Sequence, residues 1–262
     1  MSRAANQAMP SSHSACGSPP GSPGASLACG GVSGIGVIGE GPLHAAIKAI
    51  LARPGDRLEV PLGGFVVDLV RADGELVEVQ TGGFSALGRK LDSLLDEHRF
   101  RVVHPIAAER RIVLVDSAGE IRSLRRSPRR GTPLEVFHKL VAFPSLVTHP
   151  NLTIEVFLVR EDHVRGLRPV TPRWRRRDPG ERRLVDVVDQ IELRSVADVR
   201  RLLPALPPEA FSTRELASTL GCTVLLAQRI AYCLRILSIL EPAGKRGRTP
   251  LHKLSLREQE TV

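Results

Sequence analysis

"VVDLVRADGELVEVQTGGFSALGRKL", residues Val66 to Leu91, is the stretch that decides the fold. Two apolar runs, "VVDLV" and "ELVEV", flank Asp73-Gly74, a hairpin turn signal, and the spacing then turns helical through Leu87 and Leu91. Side chains alternate across a strand, so Val66, Asp68 and Val70 share one face, and Leu76, Glu78 and Gln80 share one face of the partner. A loop centred on Asp73 sets Asp68 directly opposite Glu78. Two carboxylates that close repel unless something positive lies between them. A divalent cation with oxygen ligands answers this, with Gln80 beside it to orient a water or a phosphate oxygen. The alternative is a solvated sheet face on which both acids meet water. The apolar residues around them argue for burial on both faces. Lys90, within one turn of Leu87 and Leu94, can send its ammonium toward the sheet edge. Without a cation the two acids are expected to repel, so the fold is expected to tolerate the loss of either.

Upstream, "PLHAAIKAILARPGD" repeats Leu43, Ala46, Ile47, Ile50 and Leu51 at helical spacing, with Pro42 at the start and Pro54-Gly55 at the stop. "RLEVPLGGFVVDLV" follows as a strand. Downstream of the helix around Leu87 to Leu95, "FRVVHPI" and "RRIVLVD" read as two strands and "SLRRSPRRGT" as a basic loop. "PLEVFHKLVAFPSLV" reads as a short helix and "LTIEVFLVR" as a final apolar strand. The order of helices and strands gives a mixed α/β domain over residues 41–163. Residues 164–182, with "RGLRPVTPRWRRRDPGERR", are dense in Arg and Pro and read as a linker. Residues 183–256 read as mostly helical. Residues 1–40 are rich in Gly, Ser, Pro and Ala and are expected to be disordered. "GIGVIG", Gly34 to Gly39, matches GxGxxG, but neither a preceding strand nor a βαβ unit supports dinucleotide binding.

The 262 residues carry a net charge of +9 and a pI of ≈ 10.2, which points to a polyanionic partner, nucleic acid first. Solvated surface charge is the plainer alternative. Cys16, Cys29, Cys222 and Cys233 form no CxxC and no zinc spacing, so a reduced, cytoplasmic protein is expected, without structural zinc. No apolar run spans a bilayer and no signal peptide pattern opens the chain.

A helix, a strand bearing Asp, a strand bearing Glu-x-Lys and a further helix make up the pattern of the PD-(D/E)xK, or restriction-endonuclease-like, nuclease superfamily. Residues Leu43 to Arg160 resemble it. The resemblance implies a mixed sheet flanked by helices, and Mg²⁺ (or Mn²⁺) held by Asp68 and Glu78, with metal-assisted hydrolysis of a phosphodiester. Gln80 stands in the family's Lys position, as in a Glu-x-Gln variant of the superfamily, and Lys90 would supply the lost charge from the helix. Val67 stands where the family often has Pro. Glu59 is a weaker third acid. Gln cannot stabilise developing negative charge as a cation does, so metal binding survives this substitution more safely than catalysis. Arg125, Arg126, Arg129 and Arg130 in "LRRSPRRG" are candidate phosphate contacts.

In "FSTRELASTLGCTVLLAQRIAYCLRILSILEPAGKRGRTPLHKL", Ser212 and Glu215 form a capping-box pattern, Gly221 ends one helix and Thr223 caps the next. Residues 208–254 resemble a winged helix-turn-helix. That resemblance implies Gln228, Arg229, Tyr232 and Arg235 facing DNA, with Lys245, Arg246 and Arg248 as the wing. Protein contacts are the other use of this fold. Trp174 in "RWRRR" reads as pinning the linker rather than as a stacking platform. Together these readings give a metal-dependent nuclease docked on DNA. The alternative is a catalytically inactive DNA-binding regulator or accessory protein with the same folds. A homodimer is left open.

Overall fold

The computed structural model describes residues 40–85, 87–166, 180–204 and 206–255. The N-terminal tail with Cys16, Cys29 and "GIGVIG", and Trp174 with most of the Arg/Pro-rich segment, lie outside the described residues.

The chain enters α1 (Pro42–Leu51) at Pro42 and buries Leu43, Ile47 and Leu51 along one stripe. "RLEVPLGGFVVDLV" is two strands rather than one, β1 (Arg57–Leu62) and β2 (Phe65–Val70), paired antiparallel. Gly63 and Gly64 turn between them with φ of 56° and 80°. Glycine reaches this left-handed region without a Cβ penalty, and a Cβ on Gly63 would lie 2.9 Å from Leu94 Cδ2. The Asp73-Gly74 turn leads to β3 (Leu76–Val79), antiparallel to β2 with Leu69 opposite Val77 and Val70 opposite Leu76. Then α2 (Gly88–Leu94) crosses to β4 (Phe100–Val115), which runs parallel to β3.

β4 is one strand of 16 residues where the sequence reads as two. Pro105 suggests a break, but Val103 presents its carbonyl to the Gln80 N–H, so Pro105, two residues on, faces the same flank. β3 has ended there, and the missing N–H of Pro105 breaks no ladder bond. β5 (Ile121–Arg126) takes up the far end of that flank, pairing with Arg111 to Val115. Arg125 and Arg126 therefore lie on a strand, not in the expected basic loop. A 3₁₀ turn, α3 (Phe137–Leu140) and a second 3₁₀ turn lead to β6 (Leu152–Arg165), parallel to β4.

β7 (Glu181–Leu193) corrects the expected domain plan. Val164 and Arg165 finish β6, and β7 pairs antiparallel with it in the same sheet, so the segment between them joins two paired strands. The sheet runs β1-β2-β3-β4-β6-β7, with β5 beside β4. β7 is an edge strand interrupted by register shifts, half-covered at Leu184, Val187 and Ile191, so its period of two is blurred in the sequence.

One face of the sheet packs Leu69, Val77, Val103 and Phe157 against α1. The other packs Val70, Leu76, Val102 and Ile154 against α2, the 133–148 segment and the C-terminal helices. Those helices are α4 (Val196–Arg201), α5 (Thr213–Thr219) and α6 (Val224–Ile236), followed by the hairpin of β8 (Leu240–Arg246) and β9 (Thr249–Leu254). Leu216, Ile230 and Leu234 belong to the same core as the sheet, so the C-terminal region shares that core rather than standing apart. Ser212 and Glu215 complete a reciprocal capping box, and Thr223 accepts the Leu226 N–H. α5 and α6 meet at 106°, and Phe211 bridges His252 of β9. Among the described residues, no single helix is long and apolar enough to cross a membrane.

Candidate functional site

The β2–β3 register, continued by one pair, sets Asp68 opposite Glu78. The ladder stops there because the Asp68 carboxylate replaces a backbone partner: its Oδ2 accepts the Val79 N–H at 2.8 Å. The same oxygen lies 3.1 Å from His44 Nε2 on α1, and His44 Nδ1 lies 2.5 Å from Glu40 Oε1. Burial opposes a charge on His44, but Asp68 and then Glu40 outweigh it and lift the ring to about 9. His44 is therefore an imidazolium. For Asp68, burial pulls upward, but the His44 hydrogen bond and the Val79 N–H hold its carboxyl below the usual range.

Glu78 has the opposite balance. Burial and then the neighbouring Asp68 charge push its carboxyl up, against the pull of Lys90. Lys90 is buried on α2 and donates from Nζ to Glu78 Oε1 at 2.7 Å and to the Val66 carbonyl at 2.8 Å. Glu78 Oε2 is buried with no hydrogen-bond partner. Two facing carboxylates are thus pushed in opposite directions, a pattern that separates the roles of acids sharing one site.

Gln80 sits just past β3, and its side-chain amide donates to the Gly83 carbonyl at 2.5 Å instead of reaching the two acids. Glu59, at φ 51° on β1, pairs with Lys48 of α1 and is not gathered with Asp68 and Glu78. Lys48 also bonds Glu40 at 2.8 Å. Glu40, His44 and Lys48 recur every four residues and form one polar face at α1. Sequence reasoning missed this face, although His44 and Lys48 interrupt an otherwise apolar helix and were its signal. The expectation that the fold tolerates loss of Asp68 is revised: the half-buried His44 cation would lose one of its two counter-ions. Among the described residues, no group of three or more His, Cys, Asp or Glu is gathered as a metal cage would need.

The basic candidates are dispersed. Arg129 pairs with Glu135 at 3.2 Å and Arg130 with Glu109 at 3.1 Å, while Arg125 and Arg126 are exposed on β5. On α6, Gln228, Tyr232 and Arg235 share an exposed face. Arg229 does not join them: it turns toward α3 and meets His138 Nδ1 at 2.5 Å. Lys245 and Arg248 are exposed on the hairpin, whereas Arg246 is held by Glu215 at 2.7 Å.

Residues 41–194 match the family described as a domain of unknown function, DUF8091. Its far limit falls at the end of β7, which agrees with the strand belonging to this sheet. Over 218 residues the chain is 31% identical to an uncharacterized protein of Treponema pallidum (strain Nichols), spanning 82% of this chain and 85% of that protein. No solved structure matches. With its family match covering more than half of its length, the chain belongs to the DUF8091 family.

Proposed function

We propose that this chain is a metal-dependent nuclease of the restriction-endonuclease-like kind, which hydrolyses phosphodiester bonds of nucleic acid and docks on DNA through a winged helix. One observation carries the reading. Asp68 and Glu78 face each other across β2 and β3, and the Lys90 ammonium lies on one Glu78 oxygen while the other is buried without a partner. The element order supports it: a helix, three antiparallel strands with Asp on the second and Glu-x-Gln on the third, then a helix crossing to a parallel strand.

The residues fit a divalent cation. Mg²⁺ is commonly held by one or two carboxylates, with waters and substrate phosphates completing the shell, and needs no all-protein cage. Asp68 and Glu78 would hold it, with Glu78 Oε2 as the unsatisfied oxygen. When bound, such an ion lowers the pKa of a water and neutralises charge on the phosphate under attack. Lys90 opposes the upward push of burial and Asp68 on the Glu78 carboxyl and brings a fixed positive charge to the sheet edge. His44 fixes the Asp68 carboxylate and stands as a protonated imidazole between Asp68 and Glu40, bonded to each through one ring nitrogen.

Docking rests on the C-terminal elements. α4, the Phe211 bridge, α5, α6 at 106° to it, and the β8–β9 hairpin follow the order of a winged helix. Gln228, Tyr232 and Arg235 would enter the major groove, and Lys245 and Arg248 would touch phosphates. The regulator reading has its own support. Gln80 is committed to Gly83, and His44 and Lys90 already neutralise both acids.

The test is nicking of supercoiled plasmid and cleavage of single-stranded oligonucleotides, with Mg²⁺ or Mn²⁺ and with chelator. Metal-dependent cutting supports the nuclease. Tight DNA binding without cutting of any substrate supports the regulator.

A further inference from the structure

β3 covers β4 through Val103, and β5 begins at Arg111, so residues between them lack a strand on that flank. A cleft of about 400 Å³ opens there, lined by His104, Arg110, His138, Lys139, Arg182 and Arg229 among others. Gly131 packs against Ala107, which lines the cleft. Its N–H donates to the Ala107 carbonyl at 2.9 Å, and a Cβ would lie 2.6 Å from that oxygen, so this close crossing brings Arg129 to the cleft. His104 forms the inner wall. Its Nδ1 donates to the Gln80 carbonyl, and Thr81, the next residue, lines the cleft.

The cations are not equally matched. Arg110 and Arg182 lie 2.6 and 2.8 Å from Glu161, whose side chain is fully buried beneath them. Arg129 pairs with Glu135. Lys139 and Arg229 have no carboxylate partner among the described residues, and Arg229 reaches the His138 ring alone. Burial, then Arg182 and Arg229, hold the Lys139 ammonium below its ordinary range. Burial and then Arg229 do the same to His138. Half-buried cations that repel one another make a ready anion site, since an incoming anion removes the repulsion and gains charge-assisted hydrogen bonds.

We propose that this cleft is a phosphate-binding site for a phosphate monoester, gripped by Lys139 and Arg229 with Arg110 and Arg182 behind them. A monoester is dianionic and matches the two uncompensated cations, whereas a monoanion leaves one unanswered. Because the cleft begins one residue beyond Glu78-x-Gln80, its occupant is the terminal phosphate of a nucleic-acid strand lying on the Asp68–Glu78 pair. That assignment of the source rests on the nuclease reading; the phosphate site does not.

The experiment measures binding of the full chain, in chelator, to oligonucleotides of one sequence ending in 5′-phosphate, 3′-phosphate or hydroxyl. Inorganic phosphate and adenosine monophosphate serve as small-molecule arms. One phosphorylated end should bind at least about tenfold more tightly than the hydroxyl end, and Lys139→Gln/Arg229→Gln should erase the preference. Inorganic phosphate should protect Lys139 of the unmutated protein from acetylation, read by peptide mass spectrometry, which keeps the test independent of how the variant folds. If the small molecules bind and protect Lys139 but no phosphorylated end is preferred, the site stands and its strand-end assignment falls. Absence of both protection and end preference overturns the site, as does a preference that survives in the folded double variant. A preserved end preference in a protein that never cuts nucleic acid would sink the nuclease reading and leave the cleft.

Discussion

Replacing Lys90 by Met isolates the charge at the centre of the candidate site. Met keeps an unbranched stem beside Leu91 and Leu94 and removes only the ammonium. The structure then holds Glu78 with one oxygen stripped of its cation at 2.7 Å and the other already without a partner. Removing one member of a buried pair costs on the order of 3–5 kcal/mol, and the slight exposure of both side chains places this case at the lower end, about 3 kcal/mol near pH 8. The deficit should depend on pH. Burial and Asp68 already raise the Glu78 pKa, and loss of Lys90 raises it further. A carboxyl with a raised folded-state pKa adds stability below its unfolded value and loses it as pH rises through the folded value. Glu78 can therefore escape by taking a proton in acid but not in base, and the deficit should shrink toward about pH 5. Urea unfolding of the wild type, Lys90→Met, Glu78→Gln and the double variant measures this. Glu78→Gln should restore most of what Lys90→Met loses. A deficit below about 1 kcal/mol near pH 8, one that is flat with pH, or one untouched by Glu78→Gln would refute the reasoning.

Asp68→Asn should lower the His44 titration, seen by NMR, from about 9 toward or below the ordinary histidine value of 6.5. Because the folded pKa of His44 is raised, its contribution is full below 6.5 and is lost as pH climbs through about 9; a stability profile of His44→Gln that still shows that loss would contradict the assignment. On the hairpin, Lys245→Ala and Arg248→Ala should each reduce the log–log salt slope of DNA binding by about 0.9, and Arg246→Ala by less, since Glu215 already holds Arg246. An unchanged slope would point to a protein-binding use of these elements. Gly131→Ala forces a Cβ to 2.6 Å from a backbone oxygen and should cost about 1–3 kcal/mol in denaturant unfolding, with neutrality speaking against the close crossing.

Much of the site was legible because it depends on local rules. Asp73-Gly74 set the register that puts Asp68 opposite Glu78, and helical spacing from Leu87 carried Lys90 back to the sheet. The capping signals of Ser212 and Thr223 were equally local. What was lost depends on distant partners. Nothing near His44 in the chain announces that it lies against Asp68, 24 residues away in sequence, because that contact arises only when α1 packs on the sheet. β4 read as two strands, "FRVVHPI" and "RRIVLVD", since the sequence does not show that β6 pairs with it along nearly its whole length. β7 read as part of a helical region because an edge strand with irregular register buries too few residues to display alternation. The winged-helix resemblance grouped Arg229 with Gln228 and Tyr232, yet α3 packs against that side of α6 and claims it.

The most direct test of the central claim is the single-turnover rate of Mg²⁺-dependent DNA cleavage by the wild type and by Glu78→Gln, with matched DNA binding and matched folding by circular dichroism. Gln keeps the size of Glu78 and removes its charge, so the expected result is metal-dependent cutting by the wild type and a loss of at least about 10²–10³-fold in the variant. Equal cleavage by the two proteins, under conditions where chelator abolishes both, would contradict the placement of the chemistry at Asp68 and Glu78.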